Sequence, residues 1–164
     1  MKIRGLKLAL AATVCLASLG VSVVPSSAAN IVEVAQSNGH FATLLKAAKA
    51  AGLVGALSAP GDKTLFAPTD AAFAKIPKKT LASLLLPKNK SKLKAILLYH
   101  VVGGKTILAK DIAPGTSHVR TLEGGSLTIR KHATVRVDGA TVVTADVKAD
   151  NGVIHVINRV LMPK

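Results

Sequence analysis

The sequence predicts an α+β domain in which helices come first and strands follow. Apolar residues recur at helical spacing between residue 30 and about residue 98, whereas from residue 100 onward they alternate at a period of two. The glycine dipeptides Gly124-Gly125, Asp138-Gly139 and Asn151-Gly152 divide this second half at hairpin positions. Helices and strands that are segregated along a chain are typical of α+β rather than alternating βαβ domains.

The N-terminal segment is typical of an export signal rather than of a folded domain. Lys2, Arg4 and Lys7 precede the uncharged stretch LALAATVCLASLGVSVV, and small residues lead to Ala29. This layout predicts a signal peptide over residues 1–29, with an uncleaved N-terminal anchor as the alternative. Residues 30–164 would then form a single domain that is secreted, periplasmic or held at the cell surface.

The exported domain must fold without disulfides, because the one cysteine, Cys15, lies in the predicted signal. A chain of 135 residues buries enough surface for a core of its own. That core must be aliphatic, since there are three phenylalanines, one tyrosine and no tryptophan. The formal charge of +14, or +11 without the three cations of the signal, predicts attraction to anionic surfaces. Nucleic acid fits poorly, because the chain is exported and has few aromatic residues for base stacking.

The helical half contains three main segments. HFATLLKAAKAAGL, residues 40–53, places apolar residues on one face, with Asn38-Gly39 as a break before it and Gly52 as a stop. KKTLASLLL and KSKLKAILLYH, separated by Pro87, predict two shorter helices. Between these segments, residues 64–67 predict a strand isolated among helices, which ends at Pro68. Thr69 then caps a short helix, and Asp70 adds a negative charge at the positive end of that helix.

The second half predicts a run of antiparallel strands. The last strand is apolar on both sides, which indicates that both of its faces are covered. The predicted strands are residues 117–122, 126–131, 134–137, 140–149 and 153–161.

Three stretches carry a resemblance to a known family. TLFAPTDAAFAKIP (residues 64–77), LLYHVVGGK (residues 97–105) and NGVIHVINRVLMP (residues 151–163) resemble, in order and spacing, the signatures of the fasciclin-type (FAS1) domain. The resemblance implies a FAS1 fold, an antiparallel β-wedge with a cluster of N-terminal helices. In this reading Thr69, Asp70, Asn151 and Gly152 belong to structural motifs. It also implies a cell-adhesion role with extracellular-matrix or protein contacts, and no common catalytic activity.

Candidate binding residues fall in three groups, and each also has a structural explanation. Tyr99-His100, the central motif, is either a contact site or a scaffold in which the side chains satisfy buried groups. Asp146-Val147 stands where animal family members have an Asp-Ile pair proposed to contact integrins, although the pair is also ordinary strand-edge composition. The third group is either an anion-binding cluster or a solvated face; it consists of Lys88, Lys90, Lys92 and Lys94, preceded by Lys78 and Lys79.

Helical spacing predicts that Lys88 lies near Lys92, and Lys90 near Lys94. A second basic group, Arg130-Lys131-His132 with Arg136, is expected on the hairpins. Catalytic signatures are not found: the sequence has no nucleophile elbow, no HExxH motif and no metal-spaced His/Cys cluster.

The sequence therefore predicts a non-enzymatic binding or adhesion module without metal or cofactor. Its partner would be a protein, a matrix component or an anionic envelope polymer. The alternative is a carrier of a small apolar ligand held in a pocket of the wedge. A cluster of His100, Asp70 and a serine within hydrogen-bonding reach would instead favour an enzyme.

Overall fold

The computed structural model describes residues 29–163, so the predicted signal peptide lies outside the described residues except for Ala29. Within this part of the chain, every helix is too short or too polar to traverse a lipid bilayer. The helices are α1 (Ile31–Asn38), α2 (Ala42–Ala51), α3 (Val54–Ser58), α4 (Asp70–Ala74), α5 (Lys78–Leu84) and α6 (Lys90–Tyr99), with a 3₁₀ turn at Pro87–Asn89. The strands are β1 (Lys63–Pro68), β2 (Val101–Gly103), β3 (Gly115–Arg120), β4 (Ser126–Lys131), β5 (Val135–Val137), β6 (Ala140–Ala149) and β7 (Gly152–Ile157).

The first helices begin and end where their sequence dictates. Asn30 and Glu33 form a capping box at the start of α1, in which each side chain accepts the backbone N–H of the other residue. Gly39 and Gly52 close α1 and α2 in the left-handed conformation, with φ of 70° and 73°. The break at Asn38-Gly39 and the stop at Gly52 are thus confirmed.

The seven strands form one sheet in the order β2-β1-β7-β6-β5-β4-β3. The predicted α+β class is confirmed, and so is the strand at residues 64–67, which has helices before and after it along the chain. Its place in the sheet was not predicted. β1 lies inside the sheet between β2 and β7, and it runs parallel to β7 rather than antiparallel. The parallel pairing needs a long crossover, which the whole of residues 69–151 supplies.

Two predicted strands differ from the structure by more than one residue at an end. The last strand stops at Ile157 rather than residue 161, because Asn158 turns to pair with Thr141 and the Leu161 N–H is taken by a histidine. β3 covers residues 115–120 rather than 117–122. Thr121 begins the turn, since its N–H donates to Gly125 O at 2.9 Å.

The β1 strand separates two apolar cores. Leu65 and Ala67 face a core built mainly from the helices, whereas Phe66, on the opposite side of the strand, belongs to a core inside the curved sheet. Every residue of β1 after Lys63 is buried, and β7 is nearly so. The prediction that the last strand is covered on both faces is therefore confirmed.

Asn151 and Gly152 fasten the start of β7 to the helices. The buried amide of Asn151 accepts the Ile31 N–H (2.9 Å) and donates to Leu57 O (2.7 Å) and Ala59 O (3.0 Å). Gly152 has φ 151°, and a Cβ built there would lie 1.9 Å from the carbonyl oxygen of Lys63. The family-like Asn-Gly pair therefore connects α1 and α3 to the sheet, and is not only a hairpin turn.

We expect Gly152→Ala to destabilise the domain by about 3 kcal/mol, because the added methyl overlaps rigid backbone. Gly55→Ala is the matched control. Gly55 lies within α3, and no neighbouring atom of residues 29–163 comes within 4 Å of the place a Cβ would occupy. Alanine there should therefore be neutral or stabilise the domain by roughly 0.5–1 kcal/mol. Denaturant unfolding measures the free energy of unfolding of both variants. Equal changes would contradict a tight backbone contact at Gly152.

Candidate functional site

His100 lies inside the domain and joins α6 to the C-terminal segment. The ring is 1% exposed. Its Nδ1 lies 2.7 Å from Ile96 O, and its Nε2 lies 2.9 Å from the backbone nitrogen of Leu161. Because the Leu161 N–H can only donate, Nε2 is the acceptor and the Nδ1–H is the donor. Burial lowers the pKa of His100 to about 4, although the bond to Ile96 acts in the opposite direction.

The Tyr99 ring lies in the second core, the one inside the curved sheet that also contains Phe66, and its hydroxyl reaches a turn at the edge of that core. The hydroxyl donates to Ser126 O (3.1 Å) and lies 3.3 Å from Oδ2 of Asp138. Burial is the main cause that raises the pKa of Tyr99, and the neighbouring charge of Asp138 adds to it. The positions of both side chains fit the scaffold alternative for Tyr99-His100. A direct contact between this motif and a partner stays a prediction.

Asp146 occupies an irregular position in β6, where the pairing with β7 shifts register. Its φ of 58° is unusual for a residue other than glycine. The carboxylate accepts the Ala109 N–H at 2.7 Å, and the backbone N–H is 3.4 Å from Nδ1 of His155. Asp146 and Val147 are both half-buried. The carboxylate proposed for partner contact thus already holds the β2–β3 connection.

His155 is a second buried histidine with backbone partners. Its Nε2 lies 2.7 Å from Ile107 O, and its ring stacks on Phe66 at a centroid distance of 5.5 Å. With Nδ1 turned to the Asp146 N–H, the ring bridges β7, β6 and the loop after β2. His155 is therefore a core histidine with a backbone partner for each ring nitrogen.

Thr69 and Asp70 both stabilise helix ends, but not the same one. Thr69 Oγ1 accepts the Ala72 N–H at 3.2 Å and caps α4, as predicted. The Asp70 carboxylate instead accepts the N–H groups of Thr43 (2.8 Å) and Ala42 (3.3 Å), at the start of α2. Burial raises the pKa of Asp70, but hydrogen bonds from Thr43 and Ala42 outweigh it and hold the pKa below its ordinary 3.8. The sequence could not show this contact, because α2 and α4 are distant in the chain.

Asp70 and His100 have separate hydrogen-bond partners in the structure and do not bond to each other. Asp70 is bonded to α2, whereas His100 is bonded to Ile96 and Leu161. Among the described residues 29–163, no three acids, histidines or cysteines gather in a way that could hold a metal ion.

The lysine segment, residues 78–94, is exposed at each of its six lysines. Lys90 and Lys94 lie one turn apart on α6, as predicted, but Lys88 belongs to the preceding 3₁₀ turn rather than to the same helix as Lys92. In the described part of the chain, no side chain caps the start of α6. Cations at a helix N-terminus oppose the helix dipole, so Lys88 and Lys92 stand where an anion would be favoured.

Three lysines elsewhere serve the fold itself. Lys63 Nζ donates to Ala59 O at 2.7 Å, Lys75 Nζ to Asn158 O at 2.9 Å, and Lys131 Nζ to Ala109 O at 2.7 Å. The Lys131 side chain is therefore bonded within the domain and is not available to the second basic group expected on the hairpins. Arg130 and Arg136 remain exposed, directly opposite each other on β4 and β5.

A cleft of about 600 Å³ opens between the two edge strands, β2 and β3, and we call it the β2–β3 cleft. Its apolar wall includes Val102, Ile112, Val119 and Ile129. Its polar residues include Lys105, Asp111, His118 and Arg120. The cleft is not predictable from the sequence, since β2 and β3 become neighbours only when the whole sheet curves. The nearest signal was the alternation of His118 and Arg120 with Ser117 and Val119.

We expect the His100 ring to stay neutral down to a pH of about 4. Because its folded pKa is below the unfolded value of 6.5, stability should fall as pH drops from 6.5 towards 4, by about 3 kcal/mol for this one group. NMR titration of the ring measures the pKa directly. Unfolding of His100→Asn between pH 4 and 7 should show a flatter pH dependence than wild type; a ring that titrates near 6.5 would contradict the burial argument.

Asp70→Ala should cost about 1 kcal/mol at neutral pH, the usual value of a lost helix cap. The folded pKa of Asp70 is depressed, so its contribution is complete above 3.8 and is lost as pH falls through the lower folded value. The stabilities of variant and wild type should therefore converge below this range. Thr69→Ala, which removes only the neutral cap of α4, is the control whose cost should not change with pH.

Comparison with known proteins agrees with this architecture. The family profile described as Fasciclin domain matches residues 39–163. Protein sll1483 of Synechocystis sp. is 55% identical over 138 residues, which is 84% of this chain and 75% of that protein. The uncharacterized protein sll1735 of the same organism is 46% identical over 133 residues, 81% of this chain and 97% of that protein.

A solved structure shares the fold. The FAS1 domain pair from the insect cell adhesion molecule Fasciclin I superposes with a TM-score of 0.73 at 22% sequence identity, covering 82% of this chain and 51% of that one. With a matched profile over residues 39–163 and relatives that align over more than four fifths of its length, the chain belongs to the fasciclin (FAS1) domain family.

Proposed function

We propose that this protein is an exported, non-catalytic binding module that attaches to an anionic envelope polysaccharide through the lysine segment. The observation that carries the proposal is the placement of exposed lysines at the uncapped start of α6. Such an arrangement is unfavourable for the isolated fold and becomes favourable when a carboxylate or sulfate group binds there.

The whole-molecule charge supports the same partner. Without the predicted signal, the chain has an excess of +11, which attracts polyanions over a distance of about 10 Å at 0.1 M salt. Lys63, Lys75 and Lys131 are held by backbone carbonyls, whereas the lysine segment projects into solvent. The local cluster then selects where the polymer binds.

Family membership favours binding over catalysis. The structurally similar Fasciclin I is described as an insect cell adhesion molecule, and we extend adhesion to this chain as a proposal. The side chains with the most catalytic potential, those of His100, His155 and Asp70, are engaged in bonds to backbone groups. The predicted signal peptide would bring the domain to the envelope, in the periplasm or at the cell surface.

The proposal is tested by co-sedimentation with purified envelope polysaccharide. A triple variant, Lys88→Ser, Lys92→Ser and Lys94→Ser, should weaken binding about tenfold or more, because exposed ion pairs contribute roughly 0.2–1 kcal/mol each. Lys90 is left intact, since its Nζ lies 3.8 Å from the position of a Cβ on Gly52 and so rests against the end of α2.

The matched control removes the same charge at exposed lysines elsewhere, with Lys46→Ser, Lys110→Ser and Lys148→Ser. The affinity of this control for the polysaccharide should fall at most about threefold if binding depends on the position of the lysines and not only on net charge. Wild-type binding should also weaken steeply with salt. Equal losses in both triple variants, or affinity that does not change with salt, would contradict a specific lysine site.

The β2–β3 cleft favours a second candidate, a carrier of a small apolar ligand. Its volume of about 600 Å³ is within the range of small-molecule sites. Native mass spectrometry of protein purified from its own envelope distinguishes the two functions. A stoichiometric small molecule retained in the gas phase would favour the carrier, and its absence together with polysaccharide binding would favour the module.

A further inference from the structure

The β2–β3 cleft is bordered by two open strand edges. In the sheet order, β2 and β3 are the outermost strands. They meet at one end, where the Leu122 N–H donates to Val101 O at 2.8 Å and the Leu122 side chain packs over Gly103. Beyond this point the strands diverge around the cleft. Within residues 29–163 the sheet is thus nearly closed, but no strand of this part of the chain joins its two edges.

Hydrogen bonding shows which backbone groups of β3 face the cleft. Thr121 donates its N–H to Gly125 O (2.9 Å), so Thr121 faces the β4 side. Strand alternation then turns the N–H and C=O groups of Thr116, His118 and Arg120 away from β4. These three residues have no pairing partner other than β4 in the part of the chain that the structure describes.

The neighbouring strands confirm this alternation. Thr128, which is opposite His118, turns its carbonyl to β5 and accepts the Asp138 N–H at 2.8 Å. On the other side of the cleft, the Gly104 N–H donates to Asp62 O at 2.9 Å, so Gly104 faces β1. The backbone of Gly103 therefore points into the opening. Groups that bond an extended chain are present on both sides.

Side chains around the open edge are sorted by face. Thr116, His118 and Arg120 are exposed on the outer face, whereas Ser117 and Val119 are only half-exposed on the inner face. The inner side of the cleft continues into the buried Ile129 and Ile112. A strand added next to β3 would therefore meet cationic and polar neighbours with every second side chain, and apolar neighbours with the others.

We propose that the β2–β3 cleft binds an extended segment of a partner protein, which adds as a strand to the open edge of β3. The complementary sequence alternates acidic residues, facing His118 and Arg120, with aliphatic residues, facing Val119 and the apolar wall. Backbone bonds supply the affinity and the alternation supplies the specificity, as in other cases of β-strand addition. This inference is independent of the lysine segment and would stand if polysaccharide binding failed.

A second copy of this chain is a poorer occupant. Pairing two β3 edges would bring two Arg120 and two His118 side chains to one surface of molecules that already share an excess positive charge. A compact apolar molecule is also a poorer fit, because it would leave the edge N–H and C=O groups of His118 and Arg120 without partners. An acidic, extended polypeptide satisfies both the charge and the backbone.

The test uses a capped octapeptide of alternating glutamate and valine, titrated into ¹⁵N-labelled protein. His118→Pro removes the N–H that faces the cleft and leaves the backbone bonds to β4 intact, since proline is tolerated on an open edge; the contact of His118 Nδ1 with Thr128 Oγ1 (3.4 Å) is lost in this variant and in the alanine control alike. His118→Ala keeps that N–H and serves as the matched control. We expect the proline variant to lose affinity for the peptide about tenfold or more, and the alanine variant to lose at most about threefold. In the wild-type protein, the amide chemical-shift changes should centre on Thr116, His118, Arg120 and Gly103.

Three further peptides and one further variant complete the experiment. N-methylation of the alternate peptide amides that would pair with β3 should abolish binding, whereas methylation of the other amides should not. Arg120→Glu should reverse the charge preference, favouring a lysine–valine octapeptide. Thermal unfolding shows whether each variant is folded. Equal peptide binding by the proline and alanine variants would overturn the proposal. Concentration-dependent dimerisation that His118→Pro abolishes would also overturn it. So would a small apolar probe that binds in the cleft, if the peptide does not bind.

Discussion

The fold depends on the burial of one parallel strand pair, β1 and β7, on both of its faces. Leu65 and Ala67 contact the helices while Phe66 contacts the interior of the sheet, so neither core can form without this pair. The two strands are separated by most of the domain in sequence, and their register is fixed at one end by the contact between Gly152 and the Lys63 carbonyl. Because a parallel pair has no local hairpin, its formation requires both halves of the chain to be in place. Helices and sheet are therefore expected to be stable together rather than separately.

Much of this arrangement could be predicted from the sequence, because it follows from local rules. The glycines after α1 and α2, the Thr69 cap and the alternation of β4 and β6 each depend on a few neighbouring residues. The place of β1 could not be predicted in this way, since a short apolar run does not indicate its partner. The same holds for Asp70, whose carboxylate caps α2, and for Leu161, whose N–H belongs to His100 rather than to a longer β7. Each exception is a contact between residues that are distant in sequence.

The polar residues of the family-like motifs act mainly inside the domain. His100, His155 and Asn151 are buried, and each uses its polar atoms on backbone groups of other elements. Such satisfied groups define one arrangement of helices, loops and strands, because a shifted element would leave them unpaired. Recognition is then left to the surface, where lysines, arginines and an open strand edge are found. A domain of this design can change its partner through surface substitutions while its internal network stays the same.

Tyr99 has a practical consequence for anyone who studies this protein in solution. It is the only tyrosine, and the sequence has no tryptophan, so intrinsic fluorescence and near-ultraviolet dichroism report chiefly on a single ring. That ring lies at the end of α6, inside the second core, with its hydroxyl beside the Asp138 carboxylate. The fluorescence of Tyr99 thus reports on the junction of helices and sheet without any added label. Because a neighbouring carboxylate quenches phenol emission, opening of the turn increases the fluorescence intensity.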